Sequence, residues 1–522
     1  MERPDKRRPA RLAALAAITL AIAAAGALAW RTAGAQTAGP AIGAAAPLVF
    51  TPSGDAGFDA WRIDFARRAI AAGRRQATVF QLLEGLTPEP RSIQADQNQA
   101  EFIRPPWDYI QSAVSPRRVG DGLTKRAENA QLFGAIQQRY GVDADIVAGI
   151  WAVETNYGQV TLGYDAPRAI ATLAYDPRRR AQFEGYLLAL IEMVERGYAG
   201  PQEMRSSWAG AMGQPQFMPD VYLTSAVDWD GDGRRDIWTN TGDVLASIAN
   251  YLAERGWRPG GAVFEEAQLP AGFDYALADG GKKPLSEWAR LGVRRVDGSP
   301  FAPSEEAAEV FLPAGAQGPA LLLYANFDVI KRYNNSDRYA LAVALLARAF
   351  EGRSPGFVRP WPTEIGALRR DEMVELQGLL NRLGYPAGVA DGMFGSGTRR
   401  AVRQFQLSRN DPADGYPTPA LLAQVRAAAG VPAPPAGDPA PSRPDALAAQ
   451  RAAAGALGPA GVRELQRVLS RLGHPIGTPN GQVGPRTRAA IQAEERRLGL
   501  SPTGKANTFI LRQAKQRLAR RR

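Results

Sequence analysis

The sequence predicts a mainly α chain (α+β): one large helical domain with a small β-containing insertion, then two small three-helix bundles. Three observations predict it. Apolar residues recur at helical spacing in successive segments from Phe58 to Phe350. The interval 262–323 breaks that pattern with Gly, Pro and short strand-like runs such as VFLPAG and ALLLYANF. A pattern of helix, glycine-rich turn and helix then appears twice. With 522 residues, 45% of them apolar, the chain can build several cores.

The elements follow in order. MERPDKRRPAR is basic, Leu12–Trp30 is an Ala/Leu/Ile run, and Ala33-Gly34-Ala35 offers an A-x-A cleavage site. Residues 1–35 therefore read as a signal peptide, or as an anchor through 12–30 if they stay uncut. Residues 36–55 read as a linker. The helical domain spans 56–352. FDAWRIDFARRAIAAG places Phe58, Trp61, Phe65 and Ile70 at three- to five-residue steps, and QLFGAIQQRYG, DADIVAGIWAVETNYG, QFEGYLLALIEMVERG and DVLASIANYLAERGW continue the pattern. A helix returns at RYALAVALLARAF. After a linker at 353–367, one repeat occupies 368–428 and its copy 458–518. Leu376, Gln377, Leu380, Gly392, Thr398 and Arg399 recur as Leu465, Gln466, Leu469, Gly481, Thr487 and Arg488. Residues 429–457 between them are a Pro/Ala-rich linker, read as extended and mobile. Two tethered copies suggest avidity for a repeating ligand.

Composition removes most chemistries. There is no cysteine and a single histidine, His474. Thiol nucleophiles, disulfides and zinc–thiolate sites are excluded, and a Ser-His-Asp triad has no G-x-S-x-G elbow to accompany it. Carboxylate chemistry survives. The net charge of +11 reads as spread along the chain, apart from the RLARRR tail. It suits an anionic polymer, and no nucleic-acid-binding motif accompanies it.

Four stretches carry candidate chemistry. In GIWAVETNYG, Glu154 continues the stripe of Ile146, Val147, Ile150 and Trp151, at i+4 from Ile150 and i+3 from Trp151. It faces the core near a helix end that Gly158 should form. Burial and the helix dipole would both raise its pKa, making it a general acid; the plain alternative is a buried Glu paired with an Arg. SSWAGAMGQPQFMPDVY offers small residues and two amides, Gln214 and Gln216, either for a close-lying ligand or for a tight turn. In DWDGDGRRDIW, Asp228, Asp230 and Asp232 fall at calcium-loop positions 1, 3 and 5 and Gly233 at position 6. Thr239 stands at position 12, where a glutamate is expected, so a self-capping turn remains the alternative. YANFDVIKRYNNSDRY gathers Tyr333, Asn334 and Tyr339. Tyrosine suits the apolar face and hydroxyl edge of a sugar, though aromatic clusters also serve as ordinary core. No second carboxylate has an evident place beside Glu154, whereas an ordinary glycosidase uses a pair.

Together, FDAWRIDF, VAGIWAVETNYG, SWAGAMGQPQFMP, DWDGDGRRDIW, VLASIANYLAERGW and NFDVIKRYNNSDRYA resemble, in order, the B-type lytic murein transglycosylases, with a lysozyme-like catalytic domain. The repeats resemble the three-helix peptidoglycan-binding module. The resemblance implies an exported enzyme that cleaves the β-1,4 bond between N-acetylmuramic acid and N-acetylglucosamine without water, leaving 1,6-anhydro ends. Glu154 would act as acid and then base. Tyr109, Ser207, Gln216, Tyr251, Tyr333, Asn334 and Tyr339 would line the glycan groove. Asp228, Asp230, Asp232 and Asp243 would face a structural Ca2+, and the chemistry itself would need no cofactor. The implied partner is peptidoglycan, in the periplasm, with no nucleic acid and with membrane contact only through an uncut N-terminus. Two departures stand out: the aspartate loop is about one residue longer than in calcium-binding members, and Asn480 and Glu494 replace Asp391 and Phe405 in the second repeat. A hydrolytic muramidase and an inactive wall-binding scaffold are the rival functions.

Overall fold

The computed structural model describes residues 48–98, 105–301, 304–432, 451, 454–498, 500 and 502–519. The signal-like segment and most of the Pro/Ala-rich linker lie outside these residues. Among the described residues, no helix is long and apolar enough to cross a membrane.

Helices dominate, where the periodicity places them. Helix Ala56–Ala71 buries Phe58, Trp61 and Phe65, and Asp55 caps it by accepting the Phe58 amide. Helix Ala144–Thr155 is buried along most of its length. Its small residues let helix Asp337–Phe350 come close: a Cβ on Gly149 would lie 2.9 Å from the Val343 carbonyl oxygen. Glycine is what allows the two backbones to meet there. The crossing sets Tyr339, in the first turn of one helix, against Glu154, in the last turn of the other. Ser336 caps that first turn by accepting the Tyr339 amide at 3.4 Å.

The stretch at 262–323 forms an antiparallel sheet in the order Lys283–Pro284, Ala307–Phe311, Ala320–Leu323, Phe264–Gln268, Arg294–Arg295. Strand Ala320–Leu323 is buried on both faces. Leu321 and Leu323 enter the main helical core, whereas Ala320 and Leu322 enter a second core around Trp288. The two-residue alternation of one strand thus joins insertion to domain.

Each repeat has three helices, Arg370–Arg382, Ser396–Ser408 and Pro419–Ala428 in the first, Pro459–Arg471, Pro485–Arg497 and Thr508–Ala519 in the second. The repeated glutamine is a structural brace. Gln377 donates to Asp391 at 3.2 Å, to the Met393 carbonyl at 3.0 Å and to Thr398 at 2.9 Å, and accepts the Gly392 amide at 2.8 Å. Gln466 repeats this with Asn480 at 3.1 Å, Gln482, Thr487 and the Gly481 amide. Asn480 therefore replaces Asp391 without loss, since both offer an Oδ1 acceptor.

The first repeat is docked against the catalytic domain. Asp414 accepts the Ala316 amide at 2.7 Å, and Arg403, 8% exposed, meets Asp279 at 2.5 Å. The segment before it is strapped down as well. The amides of Val358 and Arg359 both donate to buried Glu266 at 2.8 Å, and Trp361 packs on Phe357 and Trp107.

One expectation fails on a closer count of the chain. The positive charge is not spread. Residues 459–522 hold 14 Lys and Arg against 3 Asp and Glu, which is the entire net +11, and the preceding 458 residues carry 49 of each sign.

Candidate active site

Glu154 sits in the last turn of its helix, half-buried. Tyr339 donates to its Oε1 at 2.6 Å. Burial pushes its pKa up to about 7, against the smaller opposing effect of the tyrosine bond. Among the described residues Glu154 forms no ion pair, so the plain alternative of an arginine partner does not apply. The helix does not end at Gly158 as expected. It stops at Thr155, and Asn156, Tyr157 and Gly158 all have positive φ, of 49°, 61° and 77°. Two non-glycine residues in the left-handed region store strain directly after the carboxylate. Tertiary bonds hold them: Tyr157 Oη donates to the Arg118 carbonyl at 2.7 Å, and Arg118 Nε donates to Asn156 Oδ1 at 3.3 Å.

A wall of tyrosines adjoins Glu154. Tyr339 stacks on Tyr333 at 6.4 Å, and Tyr333 meets Tyr251 edge-on at 4.7 Å. Phe217 fills the angle between Tyr251 and Tyr333, at 5.7 and 5.8 Å. Burial raises the Tyr339, Tyr333 and Tyr109 hydroxyl pKa values, and the nearby Glu154 charge adds to each. Tyr251 Oη is already spent on the Arg332 carbonyl. Its hydroxyl is thus engaged within the protein, and its ring packs against Tyr333.

The loop 206–218 brings the remaining predicted residues near. Ser207 Oγ accepts the Ala211 amide at 3.2 Å, so it shapes the turn. Gln216 has φ of 56° and donates to the Gly213 carbonyl at 2.8 Å. Tyr333 Oη donates to the neighbouring Pro215 carbonyl at 2.8 Å, tying this loop to the tyrosines. Asn334 is exposed at the end of helix Ala325–Tyr333. No hydrogen bond joins Ser207, Gln216 or Asn334 to Glu154 directly among the described residues.

Sequence reading missed the brace behind the acid. Gln214 accepts from Trp151 Nε1 at 2.7 Å, donates to the Trp238 carbonyl at 2.8 Å, and its own carbonyl accepts Thr155 Oγ1 at 3.0 Å. A buried tryptophan N–H needs an acceptor, and that need was the available signal. Gln214 also lines a cavity of about 590 Å³ together with Thr155, Gly158, Arg205 and Trp238.

In the aspartate loop, Asp228, Asp230 and Asp232 converge, with one carboxylate oxygen from each within 4.8 Å of the others. Such a set of hard oxygen donors fits a cation like Ca2+. Asp243 does not join them, contrary to expectation. It is fully buried, and its two oxygens accept the amides of Trp229 at 2.8 Å and Asp236 at 2.6 Å. Burial pushes its pKa up to about 6. Asp243 closes the loop from inside instead of facing outward to a metal.

A half-buried acid beside a cluster of tyrosines, on a mostly helical domain, has the chemistry to act on a glycan. Comparison with known proteins places it further. The family "Transglycosylase SLT domain" matches residues 57–348, and "Putative peptidoglycan binding domain" matches 369–425 and 459–513. The chain belongs to the SLT lytic transglycosylases, enzymes that act on peptidoglycan. It is 30% identical over 299 residues to membrane-bound lytic murein transglycosylase B of Escherichia coli K12, covering 56% of this chain and 78% of that protein. Among solved structures it is similar to SltB3 of Pseudomonas aeruginosa in complex with NAG-anhNAM-pentapeptide: 45% identity, TM-score 0.69, 71% of this chain and 100% of that one. SltB1 of the same organism matches at 27% identity and TM-score 0.51, over 56% of this chain and 98% of that one.

Proposed function

We propose that the protein is an exported lytic transglycosylase that cuts the N-acetylmuramic acid–N-acetylglucosamine bond and leaves 1,6-anhydro ends, with Glu154 as its catalytic residue. The observation that carries this is the isolation of Glu154. Its pKa is moved to about 7 by burial, and among the described residues its polar bond is that from Tyr339. It can therefore arrive protonated and give its proton to the leaving glycosidic oxygen as the C1–O bond breaks. The muramic acid 6-hydroxyl then bonds to C1 and its proton returns to Glu154. The nucleophile is held within the substrate, so no second carboxylate is needed to activate water. The anhydro sugar held by SltB3 is the kind of product this step would release.

Tyr109 and Tyr333, both partly exposed, supply apolar faces for sugar rings, with Gln216 and Asn334 nearby. Tyr339, 3% exposed, does not line the groove as expected and acts through its bond to Glu154. Ser207 and Tyr251 shape the loop and the tyrosine wall. Asp228, Asp230 and Asp232 would hold a Ca2+ that serves structure rather than chemistry. The N-terminal signal-like segment supports export to the periplasm.

The test is digestion of purified sacculi by the wild type and by Glu154→Gln, with mass spectrometry of the soluble products. Anhydro-ended muropeptides from the wild type alone are expected. Reducing muramic acid ends would make the protein a hydrolase, and release by Glu154→Gln would assign the acid elsewhere.

A further inference from the structure

The two repeats share a fold and differ in what they show to solvent. Over the matched residues 370–430 and 459–519, the first carries seven basic and six acidic side chains, the second eleven and three. The acids of the second are withdrawn. Glu494 and Glu495 are 2% and 0% exposed and pair internally, and Glu464 pairs with Lys515 at 2.5 Å. The cations stay outside. Five exposed ones stand where the first repeat has apolar or small residues: Arg463 for Val374, Arg467 for Gly378, Arg486 for Gly397, Arg496 for Leu407 and Lys505 for Tyr416. Among the described residues none of these five has a carboxylate within 4 Å.

The placement opposes helix stability. Arg463, Arg467 and Arg471 are all exposed at i, i+4 and i+8 on one helix, and like charges at that spacing repel. The charge is also gathered locally. Ideal Cβ positions on Gly481 and Gly477 would lie 3.2 Å from Arg463 Nη1 and 3.6 Å from Arg486 Nη1. Two guanidiniums thus flank the glycine-rich turn. The helix C-terminus favours Arg471, but Arg463 and Arg467 gain no such compensation, and a local rule broken in this way points to a partner outside the fold.

The first repeat is committed elsewhere. Its Arg403 and Asp414 bond to the catalytic domain, and Tyr416 lines the contact beside Gly315. The matching residues of the second repeat are Gln492, Thr503 and Lys505, which cannot rebuild that contact.

We infer that the second repeat grips the wall by charge, its arginine surface holding the ionised carboxylates of peptidoglycan stem peptides, while the first repeat is a fixed part of the enzyme body. The inference rests on peptidoglycan as the substrate and on the family match of 459–513 to wall-binding modules. Many exposed charges acting together on a polyanion make binding steeply salt-dependent, because each contact is screened over about 8 Å at physiological ionic strength.

The test uses the full chain carrying Glu154→Gln, so that sacculi are not digested, and measures cosedimentation with sacculi from about 50 to 500 mM salt, over which the Debye length shrinks from about 14 Å to about 4 Å. Binding is expected to fall by more than tenfold over that range. Adding Arg463→Gln, Arg467→Gln, Arg496→Gln and Lys505→Gln should lower affinity by tenfold or more at low salt and flatten the salt dependence, with unchanged circular dichroism. Sacculi whose carboxylates have been amidated should bind the unmodified surface as weakly as native sacculi bind the variant. Binding unchanged by the four substitutions or by amidation would overturn the inference. Tighter binding to phosphatidylglycerol vesicles than to sacculi would overturn it in favour of a membrane. The assay reads binding alone, so a wild type that made no anhydro ends would sink the proposed reaction and leave this result standing.

Discussion

In the first repeat Tyr385 meets Phe405 edge-on at 5.7 Å, while the second repeat has His474 and Glu494 at the same two places, 2.9 Å apart. Around Glu494 gather Arg497 and Arg517 as well. One core is closed by an aromatic pair and the other by a buried ionic cluster, on the same scaffold of glutamine brace and glycine turns. The duplicated skeleton specifies the fold, and the positions between its members decide the task. In the first repeat they are used for docking to the catalytic domain. In the second they carry charge outward and tuck the acids in.

The largest test separates catalysis from anchoring. Glu154→Gln should lower turnover by roughly 10²–10⁴-fold, the usual share of general acid–base catalysis, and leave sacculus binding intact. A loss of binding would mean that the repeats and the groove do not act separately. In the wild type, kcat/KM should fall about tenfold per unit as pH rises above about 7, where the acid loses its proton. Stability follows the same sign. A folded pKa raised above the ordinary glutamate value gives stability that is present at low pH and lost as pH rises through about 7. The loss, of the order of 3 kcal/mol at high pH, should be absent from Glu154→Gln, read as the difference in Tm between pH 5 and pH 8.5.

Next in size is the exchange between the repeats' cores. Glu494→Ala leaves Arg497, Arg517 and His474 without their shared acceptor and should destabilise the second repeat by about 1–3 kcal/mol, since these partners reach water. Hydrogen exchange over 459–513 in the full chain would report it. Importing the first repeat's pair with His474→Tyr and Glu494→Phe should cost far less, since apolar packing of similar volume replaces buried ions readily. Burial works to raise the Glu494 pKa, but the bonds to His474 and Arg497 outweigh it and hold the carboxyl below its ordinary value. Its contribution is therefore present above the ordinary glutamate range and lost as pH falls through the depressed value. Hydrogen exchange in acid should open the second repeat before the first, and the double swap should remove the difference.

An effect of similar size probes the docking. Gly315 has φ of +66°, and a Cβ there would lie 2.5 Å from Asp414 Oδ2 and 2.6 Å from Tyr416 Cβ. Gly315→Val should cost about 1–3 kcal/mol through overpacking and strain, and should expose 353–369 to protease while the second repeat keeps its protection. A comparable effect concerns the aspartate loop. Saturating Ca2+ at a hundredfold over Kd would add about 2.7 kcal/mol, seen as a rise in Tm that Asp230→Asn removes. No rise would leave the loop as a self-capped turn.

Much of this was legible in the chain because periodicity and repetition are local signals. The helices around Phe58 and Glu154, the β-containing interval and both repeats could be read off, since each depends on residues within one element. What stayed hidden depends on contacts between distant segments. The left-handed run at 156–158 is held by Arg118, nearly forty residues earlier. Asp243 looked like a ligand by spacing and proved a buried acceptor for two backbone amides. Gln214 and Gln216 lie two residues apart and look alike in sequence, yet only the structure shows that one braces Trp151 while the other remains at the loop. The segregation of charge was countable from the start, but its meaning depended on knowing which residues face inward.

The bond from Tyr339 ends on Oε1 of Glu154. That bond assigns the two oxygens different work. With Oε1 occupied as an acceptor, the titrating hydrogen belongs on Oε2, and the same atom that releases it is the one left bare to take the next. The carboxyl group then needs no rotation between the two halves of a cycle. Tyr339→Phe would free both oxygens to compete for the hydrogen, and the enzyme would carry a catalyst whose loaded form is sometimes turned the wrong way round.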